Sequence, residues 1–155
     1  MSKRAAEFFV IDALLAIDRL TRYGNRLLCP DDLLINEMLS SAILYEFSVL
    51  GEAMNHILHV KKFEAFVLPS WRIVVDFRNI VIHEYFGLDL VEVMTIIKSD
   101  LPQLEKQIMA FIKSIPTSEH LLLAVKLLKK ELEQRGRKES LVYLQGIESA
   151  LNHKK

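Results

Sequence analysis

The sequence predicts an all-α protein, an up-and-down bundle of helices with extra helices at its C-terminal end. Three observations carry that expectation. Apolar residues recur every three or four positions along most of the chain, the period of an amphipathic helix. No stretch alternates apolar and polar residues as a half-buried strand does. Pro30, Pro69 and Pro116 and Gly24, Gly87 and Gly136 punctuate the periodic runs, as residues that open and close helices.

The first helix is predicted from Arg4 to Arg22. Phe8, Ile11, Leu14, Leu15, Ile17 and Leu20 form its apolar stripe, and Gly24 stands where a left-handed C′ stop belongs. Pro30 and Asp31 restart the chain. One long helix, or a short one followed by a long one, then reaches about His59, with Leu39, Ala42, Ile43, Phe47, Leu50, Ala53, Met54 and Ile57 facing inward. Gly51 interrupts that helix at a cost of about 1 kcal/mol against Ala, which is tolerable where another backbone must come close. Lys61 to Pro69 is a connection.

Pro69 and Ser70 open a third helix, closed by Gly87, and Asp89 caps a fourth, with Glu92 completing a capping box. That fourth helix runs from Leu90 to about Lys113 and should kink near Leu101, because Pro102 cannot donate to the helical ladder. Thr117 or Ser118 caps a fifth helix, with Leu121, Leu122, Val125, Leu128 and Leu132 as its stripe, and Gly136 ends it. A last helix, Lys138 to Asn152, uses Leu141, Leu144, Ile147 and Leu151. Residues 1–116 are expected to form the bundle, and residues 117–155 an amphipathic extension packed on the same domain.

Bulk properties exclude several classes. Of the 155 residues 51% are hydrophobic and 26% charged, a globular rather than a disordered balance. Lys plus Arg equal Asp plus Glu, at 20 each, so net charge gives no general argument for nucleic-acid or membrane binding. The charge is nonetheless uneven. From His120 onward eight Lys/Arg face four acids, Glu131, Glu133, Glu139 and Glu148, a surplus that could touch a phosphate backbone or simply be a solvated face. One cysteine, Cys29, permits no internal disulfide and fits a reducing compartment. Glu7, Asp12 and Asp18 interrupt the apolar N-terminal stretch, so neither a signal peptide nor a membrane span is expected, and the expected location is the cytoplasm.

Candidate chemistry concentrates in Trp71 to Asp89. Arg78, His83 and Tyr85 lie within eight residues, at spacing R-x4-H-x-Y, among Ile73, Val74, Phe77, Ile80, Val81 and Ile82. Polar groups in such a buried-looking helix cost free energy unless satisfied. At about 100° per residue Arg78 and Tyr85 share a helical face, while His83 stands about 140° from Arg78. The three converge only if the helix loosens near His83 or if two copies of the site face each other.

The set suits phosphodiester cleavage. A histidine shuttles protons near neutral pH, and an arginine holds phosphate oxygens and offsets charge in the transition state. RNA brings its own 2′-hydroxyl nucleophile, so no metal or cofactor is called for. One His83 per chain falls short of a separate base and acid, which a symmetric dimer supplies. Spacing alone favours a purely structural role at this point: His83 as a helix-end residue, Arg78 paired with Glu84, Asp76 or Glu52, Tyr85 in the core. Glu52 is expected as a buried partner that positions Arg78. His56 and His59, three apart, are expected to be a solvated pair for want of a third ligand, and Cys29 has no histidine near it in sequence.

Around the motif stand Trp71, Asn79, Gly87 and Asp89, with Gly51-Glu52-Ala53 in the preceding long helix and Asp100-Leu101-Pro102 in the following one. This ordered set resembles the signature of the HEPN superfamily, and within it the HepT-like branch, over about Phe8 to Phe111. The resemblance implies a homodimer of helical bundles with two R-x4-H-x-Y motifs lining an interface cleft. It implies a metal-independent RNase toxin with RNA as substrate, Arg78 and His83 as catalytic residues and Asn79 shaping the site. It also implies a minimal nucleotidyltransferase antitoxin that transfers AMP to Tyr85, placing bulk and negative charge where an RNA phosphate would enter. The alternatives are a non-catalytic helical subunit that binds the nucleotidyltransferase or its substrate, and a dimeric nucleotide-binding module using Arg78 for phosphate. Two departures stand out: the extension from Thr117, whose leucine stripe predicts that it covers the bundle, and the lack of an arginine around Tyr45 to Val49.

Overall fold

The computed structural model describes residues 4–83, 87–116 and 118–153. Its elements are helical throughout: α1 Ala6–Gly24, α2 Asp32–Ile35, α3 Glu37–Leu58, α4 Arg72–His83, α5 Leu90–Thr95, α6 Leu101–Ser114, α7 Ser118–Gln134 and α8 Lys138–Asn152. No strand occurs among the described residues. α1 is the central rod. It packs against α3, α6, α7 and α8, and its Val10, Ile11, Ala13, Leu14, Ala16 and Leu20 are completely buried.

The chain takes the short-then-long option before His59. Asn36 separates α2 from α3, and its side chain accepts from the Leu39 amide at 3.0 Å, satisfying an orphan donor of the first turn. α1 begins two residues later and ends two later than its stripe suggests. Gly24 is the last helical residue and does not adopt a left-handed conformation. A Cβ placed there would lie 2.2 Å from Ile97 Cγ2. The glycine therefore allows close helix packing and is not a C′ stop. Gly136, by contrast, has φ 68°. The Arg137 amide donates back to Leu132 O at 2.9 Å and the Gly136 amide to Glu133 O at 3.1 Å, the paired bonds of a Schellman ending.

Pro102 acts upstream of itself. Residues Ile96–Asp100 form a π-helical turn between α5 and α6, so the helical run continues to Ser114 with its ladder widened where the proline cannot donate. Asp89 caps α5, accepting from the Val91 and Glu92 amides at 2.9 and 3.2 Å. Trp71, fully buried in the turn before α4, packs edge-on to Phe111 and donates from Nε1 to Gln107 Oε1 at 2.9 Å. That contact fixes where α4 starts.

α7 and α8 pair with each other and lie on α1, and Leu121, Val125, Leu128, Leu144, Ile147 and Leu151 are buried there. Polar ties reinforce the contact. Arg19 Nε and Arg22 Nη2 each donate to Ser140 Oγ at 3.2 Å, and Tyr143 Oη donates to Glu105 Oε2 at 3.0 Å, joining α8 to α6. Burial and the neighbouring Glu105 push the Tyr143 phenol far above its ordinary pKa.

α4 departs most from its sequence pattern. Only Val75 and Val81 are buried, while Ile73, Ile80 and Ile82 are 70%, 43% and 49% exposed. Within one chain α4 packs on α3 and on the turn before it, so the described residues leave its outer apolar face uncovered. No helix among the described residues is long and apolar enough to cross a membrane.

Candidate active site on the α3–α4 face

Gly51 sets the distance between the two helices that carry the site. A Cβ at position 51 would fall 2.1 Å from Arg78 Cβ and 2.4 Å from its Cγ. Without a side chain there, the stem of Arg78 lies directly on α3. The guanidinium then reaches Glu52, and Nη1 donates to Oε2 at 2.9 Å. Glu52 Oε1 sits 3.2 Å from His56 Nε2, one turn along the same helix. The His56 ring stacks on Phe9 of α1, with centroids 4.0 Å apart and planes 11° apart. A chain of contacts thus runs Phe9–His56–Glu52–Arg78.

One sequence expectation needs correction here. Glu52 is Arg78's partner but is not buried; its side chain is 52% exposed against 18% for Arg78. α3 turns this face to solvent, and the arginine lies against it with its stem covered. His56 and His59 are both exposed, as expected of a solvated pair, with His56 also engaged by Glu52 and Phe9 and His59 Nδ1 2.7 Å from the Asn55 carbonyl. Arg78 Nε is buried without a hydrogen-bond partner among the described residues. An unpaired buried donor of this kind costs about 1–3 kcal/mol.

Arg78, Glu52 and Ile82 line an open groove of about 390 Å³ together with Arg4, Phe9 and Asp12. Arg4 pairs with Asp12 and lies over the Phe8 and Phe9 rings. Burial raises the Asp12 carboxyl above its ordinary pKa against the pull of Arg4. Sequence reasoning missed Arg4, Asp12 and His56 as neighbours of the motif. Only His56 carried a signal, its i,i+4 spacing from Glu52.

α4 remains α-helical through His83, which is exposed, as is Asn79. The helix does not loosen before the histidine. Arg78 and His83 therefore stay about 140° apart around one axis, with Arg78 turned toward α3 and His83 toward solvent at the helix end. Tyr85, with Glu84 and Phe86, lies outside the described residues. Among the described residues no three His, Cys, Asp or Glu side chains are grouped as metal ligands. Cys29 is exposed and free.

A family model described as "Ribonuclease HepT-like" matches residues 13–111, which include α3, α4 and the whole R-x4-H-x-Y motif. The chain is similar to "Putative RNase MJ1380" of Methanocaldococcus jannaschii, 30% identical over 108 residues that cover 70% of this chain and 97% of that protein. It is also similar to "Probable ribonuclease HepT" of Thermococcus cleftensis, 28% identical over 103 residues, 66% of this chain and 92% of that one. A longer M. jannaschii protein, "Gamma-glutamylcyclotransferase and putative RNase MJ0434", is 27% identical over 85 residues, 55% of this chain and 38% of its own length. No solved structure gives a significant match.

Proposed function

The chain belongs to the HepT-like ribonuclease family, and on that footing we propose that it is an endoribonuclease that cuts RNA without a metal, at a site built from Arg78 and His83. The carrying observation is Arg78 itself. It is anchored by Glu52 through Nη1 and borders an open groove. An arginine arranged this way is preorganised for a phosphate oxygen.

In the reaction, a histidine accepts the proton of the 2′-hydroxyl as that oxygen attacks phosphorus. The bond from phosphorus to the 5′ oxygen breaks, and an acid returns a proton to the departing oxygen. The products are a 2′,3′-cyclic phosphate and a 5′-hydroxyl. Arg78 offsets charge on the non-bridging oxygens, and Asn79 shapes the entrance. Arg78 and His83 point in different directions from one unbroken helix, so the site is composite. A homodimer placing two copies of α4 against each other supplies both a base and an acid from the two His83 side chains. The uncovered face of α4, with Ile73 and Ile80, supports that arrangement.

Control comes from a minimal nucleotidyltransferase partner in the cytoplasm. Tyr85 Oη attacks the α-phosphate of ATP and pyrophosphate leaves. The resulting adenylate repels an RNA phosphate from the cleft, making the pair a toxin and its antitoxin. The neutral net charge favours one other reading, a non-catalytic subunit that binds the nucleotidyltransferase, since RNA binders are usually basic.

The test is cleavage of a mixed RNA pool in EDTA by wild type, His83→Ala and Arg78→Ala, with the intact mass of each chain measured. Cleavage by unmodified wild type that both substitutions abolish is the expected result. No cleavage by a folded, dimeric, unadenylylated wild type would overturn the nuclease in favour of the binding subunit.

A further inference from the structure

The groove beside Arg78 does not end at the bundle shared with the family. A second concavity of about 240 Å³ adjoins it, sharing Arg4, Asp12 and Val49 as lining residues, and continues to Tyr45, Arg135 and Arg137. Tyr45, Val49 and Glu52 stand at i, i+4 and i+7 on α3, one face of that helix, so the floor runs about 10 Å along its axis. Its far wall is the turn between α7 and α8, which lies outside residues 13–111. We propose that this turn extends the substrate groove: Arg137 and Arg135 bind phosphates of single-stranded RNA, and Tyr45 stacks a base between them and the Arg78 site. This rests on the ribonuclease reading above and names residues through which a substrate would be held away from the cut.

Four arginines and three acids line the second concavity, and their pairing decides which cations are available. Arg4 is committed to Asp12 and Arg19 to Glu46. Arg135 pairs with Glu131 at 2.9 Å, but both are largely exposed, at 66% and 48%. Such a surface pair is worth about 0–1 kcal/mol, so exchanging Glu131 for a phosphate costs little. Arg137 is exposed, and its charge acts on Glu46 without a close ion pair among the described residues. Gly136, in the left-handed conformation, sets the two arginines on one tight turn with Lys138 following. Tyr45 is 67% exposed on the groove floor. An aromatic face beside cations along a groove is how single strands are held without sequence preference.

The experiment measures binding of a fluorescein-labelled single-stranded RNA of about 12 nucleotides by anisotropy across a salt series, using the full chain carrying His83→Ala so that the probe survives. Arg135→Gln with Arg137→Gln is expected to weaken binding about fivefold and to reduce the log–log salt slope by about 0.7 for each phosphate that is no longer neutralised. Arg137→Lys should retain the slope. Tyr45→Leu should weaken binding and Tyr45→Phe should not. Lys113→Ala, which removes an exposed charge on α6, should change neither quantity. Circular dichroism of each variant separates loss of binding from loss of fold. An unchanged affinity and slope in the double arginine variant overturns the inference, including where wild type cleaves RNA and the nuclease reading stands. A slope that depends on Arg135 and Arg137 in a chain that cleaves nothing upholds the inference and sinks the nuclease. Absence of RNA binding by any form overturns both.

Discussion

Arg78 Nη1 donates to Glu52 Oε2 at 2.9 Å across the α3–α4 contact, while the other oxygen of the same carboxylate faces His56 Nε2 at 3.2 Å. One exposed carboxylate therefore orients the arginine while being oriented itself from behind. Glu52→Ala is expected to lower kcat for RNA cleavage about tenfold, a loss of about 1.4 kcal/mol in transition-state stabilisation. The melting temperature should barely change, because Glu52 is half exposed. Glu52→Gln, which keeps the acceptor, should recover most of the rate. Equal losses for both variants, or a loss confined to KM, would remove Glu52 from a positioning role.

Gly51 and Gly146 make a contrasting pair. At Gly51 an added methyl meets Arg78 Cβ at 2.1 Å, and at Gly146 it meets nothing within 4 Å. Gly51→Ala should destabilise by about 2–3 kcal/mol, as overpacking does, and should displace Arg78 enough to abolish cleavage. Gly146→Ala, in the exposed interior of α8, should stabilise by up to about 1 kcal/mol. Thermal unfolding of both variants checks the pair. An unaltered melting temperature for Gly51→Ala would refute the close approach of α3 and α4.

Glu46 is buried, accepts from Arg19 Nη1 at 3.5 Å and leaves Oε2 without a partner among the described residues. Burial pushes its carboxyl above the ordinary range, against the pull of Arg19. The folded state thus holds this proton more tightly than the unfolded chain. Its contribution to stability is fullest below the ordinary carboxyl pKa and is lost as pH rises through the elevated folded value. Glu46→Gln should raise the melting temperature at neutral pH, by about 2–4 °C for each kcal/mol recovered. That gain should shrink on acidification. A gain that persists at low pH would contradict the titration.

Glu7 behaves in the opposite sense. It is buried, yet paired with Lys62 and 3.6 Å from His120 Nδ1. Burial raises its carboxyl, and the hydrogen bond from Lys62 with the charges of Lys62 and His120 outweighs that effect, leaving the pKa below its ordinary value. Stability from this group is present above the unfolded pKa and is lost as pH falls through the folded one. Lys62→Ala strands the buried carboxylate and should cost about 1–3 kcal/mol at neutral pH. The deficit should fade in acid, where the carboxyl is neutral in both states. A deficit independent of pH would mean that Lys62 acts through packing alone.

How far the sequence carried these features depended on whether their causes were local. The α8 bounds, the Asp89 cap and the Gly136 stop were legible because each turns on hydrogen bonds among residues a few positions apart. Gly24 was misread because local rules know glycine as a helix end, whereas its cause is Ile97 on a segment far along the chain. Ile73 and Ile80 were misread because periodicity shows that a face is apolar without showing what covers it.

The sequence by itself determined the helical class, the R-x4-H-x-Y motif and the family, since these reside in residue types, spacing and helical period. Only the tertiary structure decided that Glu52 is the carboxylate that takes Arg78, with Asp76 pairing instead with Arg72 at 3.4 Å. It alone decided that His56 stands behind Glu52, and that the α7–α8 turn reaches the groove. The reason is range. A dihedral preference or a cap is settled within one turn of chain, whereas the partner of a long charged side chain is chosen by which helices the burial of α1 brings together.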